Sequence, residues 1–226
     1  MDDIVSSLIV VAITGVVVIL IFWLVARQKK QREATLKNMA SMNGWIYESV
    51  NEPSVKGYRL RKGDWLIEGL NEATMTHTEN TGSSNVTSMT RWFSKEIRLT
   101  DGIILIGPRQ PEINLGAMGD FVMNVALQKL LGDEAQNAKG IERVELGSLE
   151  LMQRYMIWTN QVETAKELLT MNVENALLNW PAKKVPPVIK YSYAGMEIKV
   201  QGFRIYDEQE LYALIKIGNM LLDAAR

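Results

Sequence analysis

The stretch Ile4–Ala26 reads IVSSLIVVAITGVVVILIFWLVA, and Arg27–Glu33 follows it with RQKKQRE. Coiled as a helix, an uncharged run of this length rises ~34 Å, enough to cross a hydrocarbon core of ~30 Å. Its polar members Ser6, Ser7 and Thr14 can return their hydroxyls to the helix's own carbonyls. A secretory signal would start basic and end at a small-residue cleavage site. This chain starts Met1-Asp2-Asp3 and passes through Leu24-Val25-Ala26-Arg27. The expectation is therefore a short outer N-terminus (residues 1–3), a single transmembrane helix over residues 4–26 and a basic juxtamembrane helix over 27–44.

The flanks set the expected orientation. Asp2 and Asp3 precede the run; Arg27, Lys29, Lys30, Arg32 and Lys37 follow it against a single Glu33. Basic residues beside a span are retained on the cytoplasmic side, which places the N-terminus outside an inner membrane and the remainder inside. Trp23 falls where an indole rests among headgroups, and Arg27 and Lys29 can snorkel to phosphates.

Composition narrows the function of the remaining residues. The chain has 25 Lys and Arg against 26 Asp and Glu, a balance unlike the basic domains that bind nucleic acid. It has no cysteine, which excludes disulfides, thiolate zinc sites, iron–sulfur clusters and cysteine catalysis. Asn85-Val86-Thr87 matches a glycosylation tripeptide, a match that chance supplies often and that would lie on the wrong side of the membrane.

Beyond the apolar run, helix is expected to Met42, ending at Asn43-Gly44, with Leu36, Met39 and Ala40 as a narrow apolar stripe. Short strands then succeed one another: Gly44–Tyr47, Gly57–Leu60 and Asp64–Gly69, with Gly63-Asp64 as a turn. Asn71–Thr90 is rich in Asn, Ser and Thr and reads as a polar loop, with disorder its favoured state. Arg91–Leu99 and Ile103–Ile106 flank Thr100-Asp101-Gly102, a hairpin signal. Asp120 can cap a helix from Phe121 to Leu131, and Gln136–Gly140 reads as a linker. Strands are expected at Ile141–Leu146 and Gln153–Trp158, and helices at Gln161–Leu169 and Val173–Trp180. A hairpin at Val188–Tyr193 and Met196–Gln201 turns on Ala194-Gly195. Asp207-Glu208-Gln209-Glu210 opens a long C-terminal helix with Leu211, Leu214, Ile215, Gly218, Leu221 and Leu222 on one stripe. The fold class is α+β, a mostly antiparallel sheet with a long last helix, in two sub-blocks (45–132 and 141–226).

The order of the second block is Tyr155-Met156-Ile157-Trp158, then Ala165–Leu169, then Leu177-Leu178, a hairpin and a long helix. Over residues 150–226 it resembles a family of bacterial membrane-associated domains of unknown function. Asn160 stands where an Asp is more usual in that family. The resemblance implies no activity and no site.

Chemistry is sparse. His77, the only histidine, lies in Thr76-His77-Thr78-Glu79 with no zinc partners and no G-x-S-x-G serine, so it reads as a solvated histidine. Gly116-Ala117-Met118-Gly119 precedes a helix but lacks a following Lys-Ser/Thr, and Asp120 would repel a phosphate. Asp133, Glu134, Glu142, Glu145 and Glu150 scatter as solvated carboxylates do. Arg59 and Arg61 share one face of a strand with Lys62 at its turn, where they could meet headgroups or an acidic partner. No catalytic, metal or cofactor constellation emerges. The expectation is a non-catalytic accessory subunit, scaffold or assembly factor of a membrane complex, with no nucleic acid among its partners. The alternative is a membrane-surface sensor of anionic lipid headgroups or a small ligand, with Trp23, Arg27, Lys29, Lys30, Arg32, Arg59, Arg61 and Lys62 as its contacts.

Overall fold

In the computed structural model, the backbone is described for residues 2–78, 81–109, 139–181 and 185–226, and side chains for 14–73, 86–109, 139–181 and 185–226. The expected helix from Phe121, its Gly116–Gly119 lead-in, Asp133 and Glu134, and the side chain of His77 lie outside these residues. The chain divides into two compact units, Met1–Trp45 and Ile46–Arg226.

The first unit is one helix, α1 (Asp2–Asn43). It stops at Gly44, whose φ of +65° only glycine adopts at little cost. Trp45 N–H reaches back to the Ala40 carbonyl at 2.8 Å and Gly44 N–H to that of Ser41 at 3.4 Å. This pair of bonds is a Schellman cap, foreshadowed by Asn43-Gly44. The transmembrane reading is corrected here. Among the described residues no helix is long and apolar enough to cross a membrane. The helix then runs without a break into the charged residues Arg27–Asn43.

The second unit is α+β, and its described residues build a nine-stranded sheet in which every pairing is antiparallel. The strands are β1 (Ile46–Asn51), β2 (Val55–Lys62), β3 (Trp65–Thr78), β4 (Thr81–Ser94), β5 (Ile103–Pro108), β6 (Glu142–Val144), β7 (Tyr155–Thr159), β8 (Val188–Ser192) and β9 (Gly195–Gln201). Their spatial order is β1-β2-β3-β4-β9-β8-β5-β7-β6, so strands from both sequence blocks share the sheet. Among the described residues four helices accompany it: α2 (Leu149–Arg154), α3 (Val162–Leu168), α4 (Met171–Leu178) and α5 (Glu208–Ala224).

Register places one apolar side chain per strand in a line across the sheet. Leu60, Ile67, Trp92, Ile198, Ile189, Ile106 and Ile157 are successive cross-strand neighbours, and all are nearly or fully buried. This is the face that the helices cover. On α5 the stripe Leu211, Leu214, Ile215, Gly218, Leu221 and Leu222 is buried as its spacing requires. Gly218 lets the helix approach closely, since a Cβ there would stand 2.3 Å from Trp92 Cε2. Asp207 caps α5 through Glu210 N–H at 3.1 Å, Thr170 caps α4, and Ser148 caps α2. The Tyr58 hydroxyl donates to the Ile205 carbonyl. The Thr90 hydroxyl accepts from Ile205 N–H at 2.8 Å and donates to the Phe203 carbonyl at 3.3 Å. These bonds staple the β9–α5 connection to the sheet.

Two expectations change. Asn71–Thr90 is not a loop: β3 and β4 pair from Trp65↔Ser94 to Thr78↔Thr81, forming one long hairpin. Each Ser and Thr of that stretch is β-compatible when the partner strand supplies its main-chain bonds. The hairpin expected at Thr100-Asp101-Gly102 does not form either. β4 pairs with β9 and β5 with β8 and β7, so the β8–β9 hairpin stands between the two strands that were expected to meet. Gly102 serves another contact, since its missing Cβ makes room for Asn160 Oδ1. Asn160 Oδ1 accepts from Ile103 N–H at 2.9 Å, while its Nδ2 donates to the Lys139 carbonyl at 3.0 Å. An aspartate could make only the first of these bonds.

Candidate interaction surfaces

Opposite the helices, the sheet carries a ladder of charges. Glu48, Arg59, Glu68 and Arg91 are cross-strand neighbours on β1 to β4, and Glu197, Lys199 and Lys190 continue the series on β9 and β8. Arg59 Nε donates to Glu68 at 2.7 Å, and its Nη1 lies 3.5 Å from Glu48. Arg91 donates to the other Glu68 oxygen. Glu197 is ringed by Lys190 and Lys199 at 3.3 Å and Arg91 at 3.6 Å. Both central carboxylates are buried. Burial pushes the Glu68 carboxyl up, but the hydrogen bonds and charges of Arg59 and Arg91 outweigh it and hold Glu68 below the usual carboxylate range. The same contest, won by Lys199, Lys190 and Arg91, lowers Glu197. Arg59 is raised, chiefly by its bond to Glu68.

The sequence-predicted residues are thus distributed unevenly. Arg59 is committed to Glu68 and Glu48, whereas Arg61 and Lys62, next along β2, are exposed. On α1, Trp23, Arg27, Lys29, Lys30 and Arg32 are all exposed, and the Arg27 guanidinium lies 5.3 Å from the Trp23 ring centroid. N-terminal to them every described side chain from Thr14 to Ala26 is exposed, with Phe22 at 72% and Ile19 at 69%.

Among the described residues, no three His, Cys, Asp or Glu gather as metal ligands do. A small cleft beside Arg109, Met152, Tyr155 and Met156 encloses about 20 Å³. That is room for a water molecule, far below the ~300–1,000 Å³ of a ligand site. Burial pushes the Tyr155 phenol there up to about 12, so it stays protonated at neutral pH.

No protein family's sequence model matches the chain, and no curated protein matches it. Among solved structures it is similar to the crystal structure of the mycobacterial trehalose monomycolate transport factor A, TtfA, at 11% identity and a TM-score of 0.37, over 84% of this chain and 93% of that one. A likeness of that size carries no functional argument. The surfaces above therefore stand on their own chemistry. Sequence reasoning found Arg59 but missed Glu68, Arg91, Glu197, Lys190 and Lys199. Each charge alternates with apolar residues in its own strand, a signal that was present, but only register shows which charges meet.

Proposed function

We propose that this chain is a non-catalytic accessory subunit or scaffold, which binds another protein of a membrane complex through the apolar stretch Thr14–Ala26. One observation carries the reading: the side chains of that stretch are exposed all round the helix. A helix apolar on every side requires cover, and each aliphatic side chain fully covered contributes about 2 kcal/mol. The proposed place of action is the cytoplasmic face of a bacterial inner membrane, supported by the basic residues that follow the stretch. A photo-reactive residue at position 20 of the full chain tests the docking. It should give one discrete cross-linked protein, lost in the Ile21→Asp, Leu24→Asp double variant. A chain that remains monomeric and uncross-linked sinks the reading.

The exposed basic turn of α1 favours a second reading, recognition of anionic headgroups or a small anion by Arg27, Lys29, Lys30 and Arg32. It requires salt-sensitive binding to vesicles containing phosphatidylglycerol, and binding that 0.5 M salt leaves unchanged counts against it.

A further inference from the structure

Two hydrogen bonds fix which way the main chain of β1 faces. Glu52 N–H donates to the Val55 carbonyl at 2.9 Å, and Ala73 N–H donates to the Ser54 carbonyl at 2.8 Å. In an antiparallel ladder, pairs that exchange bonds alternate with pairs that do not. With this register Val50 and Glu48 bond to Gly57 and Arg59, and the N–H and C=O of Ser49 and Asn51 point away from β2. Among the described residues β1 is the last strand on its side of the sheet. Among the described residues no main-chain bond takes up Ser49 or Asn51, and both are exposed. The two edges of the sheet differ in how they are guarded. β6 is three residues long; β1 has six and carries neither Lys nor Pro, the usual blunting devices.

We propose that the outer edge of β1 docks an extended segment of another protein, which joins the sheet as a further strand. The occupant follows from the chemistry of the edge, because donors and acceptors alternating at strand spacing are matched by another extended backbone. Side chains narrow it further. Ile46 and Glu48 project to one face, with Ile46 67% exposed and the Glu48 side chain 56% exposed. Glu48 meets Arg59 from one side only, at 3.5 Å, and its oxygens can accept from a second cation. The segment therefore carries Lys or Arg opposite Glu48 and an apolar residue opposite Ile46. A second copy of this chain fits poorly, since two-fold pairing about Ser49 brings both Glu48 carboxylates to neighbouring positions of one face. The edge proposal and the α1 proposal rest on different residues and stand independently.

The test uses the full chain and two terminally blocked peptides, TVTKTVT and TVTETVT. The lysine peptide should bind at least tenfold tighter at low salt and slow amide exchange at Ser49 and Asn51. Ser49→Pro removes an outward N–H and should abolish binding. Glu48→Lys, its fold checked by circular dichroism, should invert the preference between the peptides. Equal or absent binding of both peptides overturns the proposal, as does normal binding by a folded Ser49→Pro chain. Protection of the Ser49 and Asn51 amides in the free monomer overturns it too. A concentration-dependent dimer lost in Ser49→Pro would assign the edge to a second copy and likewise overturn it. Position-20 cross-linking retained in Ser49→Pro would leave the α1 reading intact.

Discussion

Replacing Glu68 with Gln keeps the shape of the side chain and removes the charge on which two guanidinium groups converge. Glu68 accepts from Arg59 at 2.7 Å and from Arg91 while its own side chain is only 6% exposed. A hydrogen bond to a charged group contributes about 1.5–3 kcal/mol, which would suggest roughly 3–6 kcal/mol for the two. The arginines, however, are 31% and 34% exposed, so water re-solvates them and screening reduces the loss. A destabilisation of about 2 kcal/mol remains, which for a chain of this size lowers Tm by roughly 4–8 °C. The pH dependence follows from the depressed folded-state pKa of Glu68. Its stabilisation is fully present above the unfolded glutamate value of about 4.3 and is lost as pH falls through the lower folded value. Thermal unfolding followed by circular dichroism, for Glu68→Gln and the parent chain between pH 7 and pH 3, measures both quantities. A Tm difference below 1 °C at pH 7, or one that persists undiminished at pH 3, refutes the reasoning.

Three further substitutions probe the helix-covered face. Gly218→Ala drives a methyl against the Trp92 ring, where 2.3 Å separates its Cβ position from Cε2; it should cost about 1–3 kcal/mol and shift tryptophan emission to the red. Tyr58→Phe strips the Ile205 carbonyl of its buried donor and should cost about 1–2 kcal/mol in urea unfolding, with an unchanged m-value. Asp207→Ala leaves Glu210 N–H without its cap and should lose about 1 kcal/mol, seen as lower ellipticity at 222 nm on mild heating.

Where local chemistry decides an element, the sequence announced it. The Asn43-Gly44 stop, the Gly63-Asp64 turn and the Asp207 cap are each set by a few adjacent residues and stand where they were expected, and the β8–β9 turn falls one residue earlier than expected, at Tyr193-Ala194. The readings that changed depend on distant partners. Thr100-Asp101-Gly102 has the composition of a hairpin turn, yet β8 and β9, almost a hundred residues away, take the positions that would close it. Asn71–Thr90 looks like a loop because its side chains are polar; strand formation there depends on main-chain bonds, which composition does not record. The hydropathy of Ile4–Ala26 suggested a span, but among the described residues no helix is long and apolar enough for one.

By itself the sequence determined the α+β class, most strand and helix positions and the buried stripe of α5, because periodicity and capping act within a few residues. Tertiary structure alone decided the strand order, the partners of Arg59 and, among the described residues, the exposed main-chain edge of β1. A sheet's neighbours are chosen by register across the whole chain, and a charge, wherever it stands in the sequence, becomes a ladder rung or a solvated surface group only when its neighbour arrives.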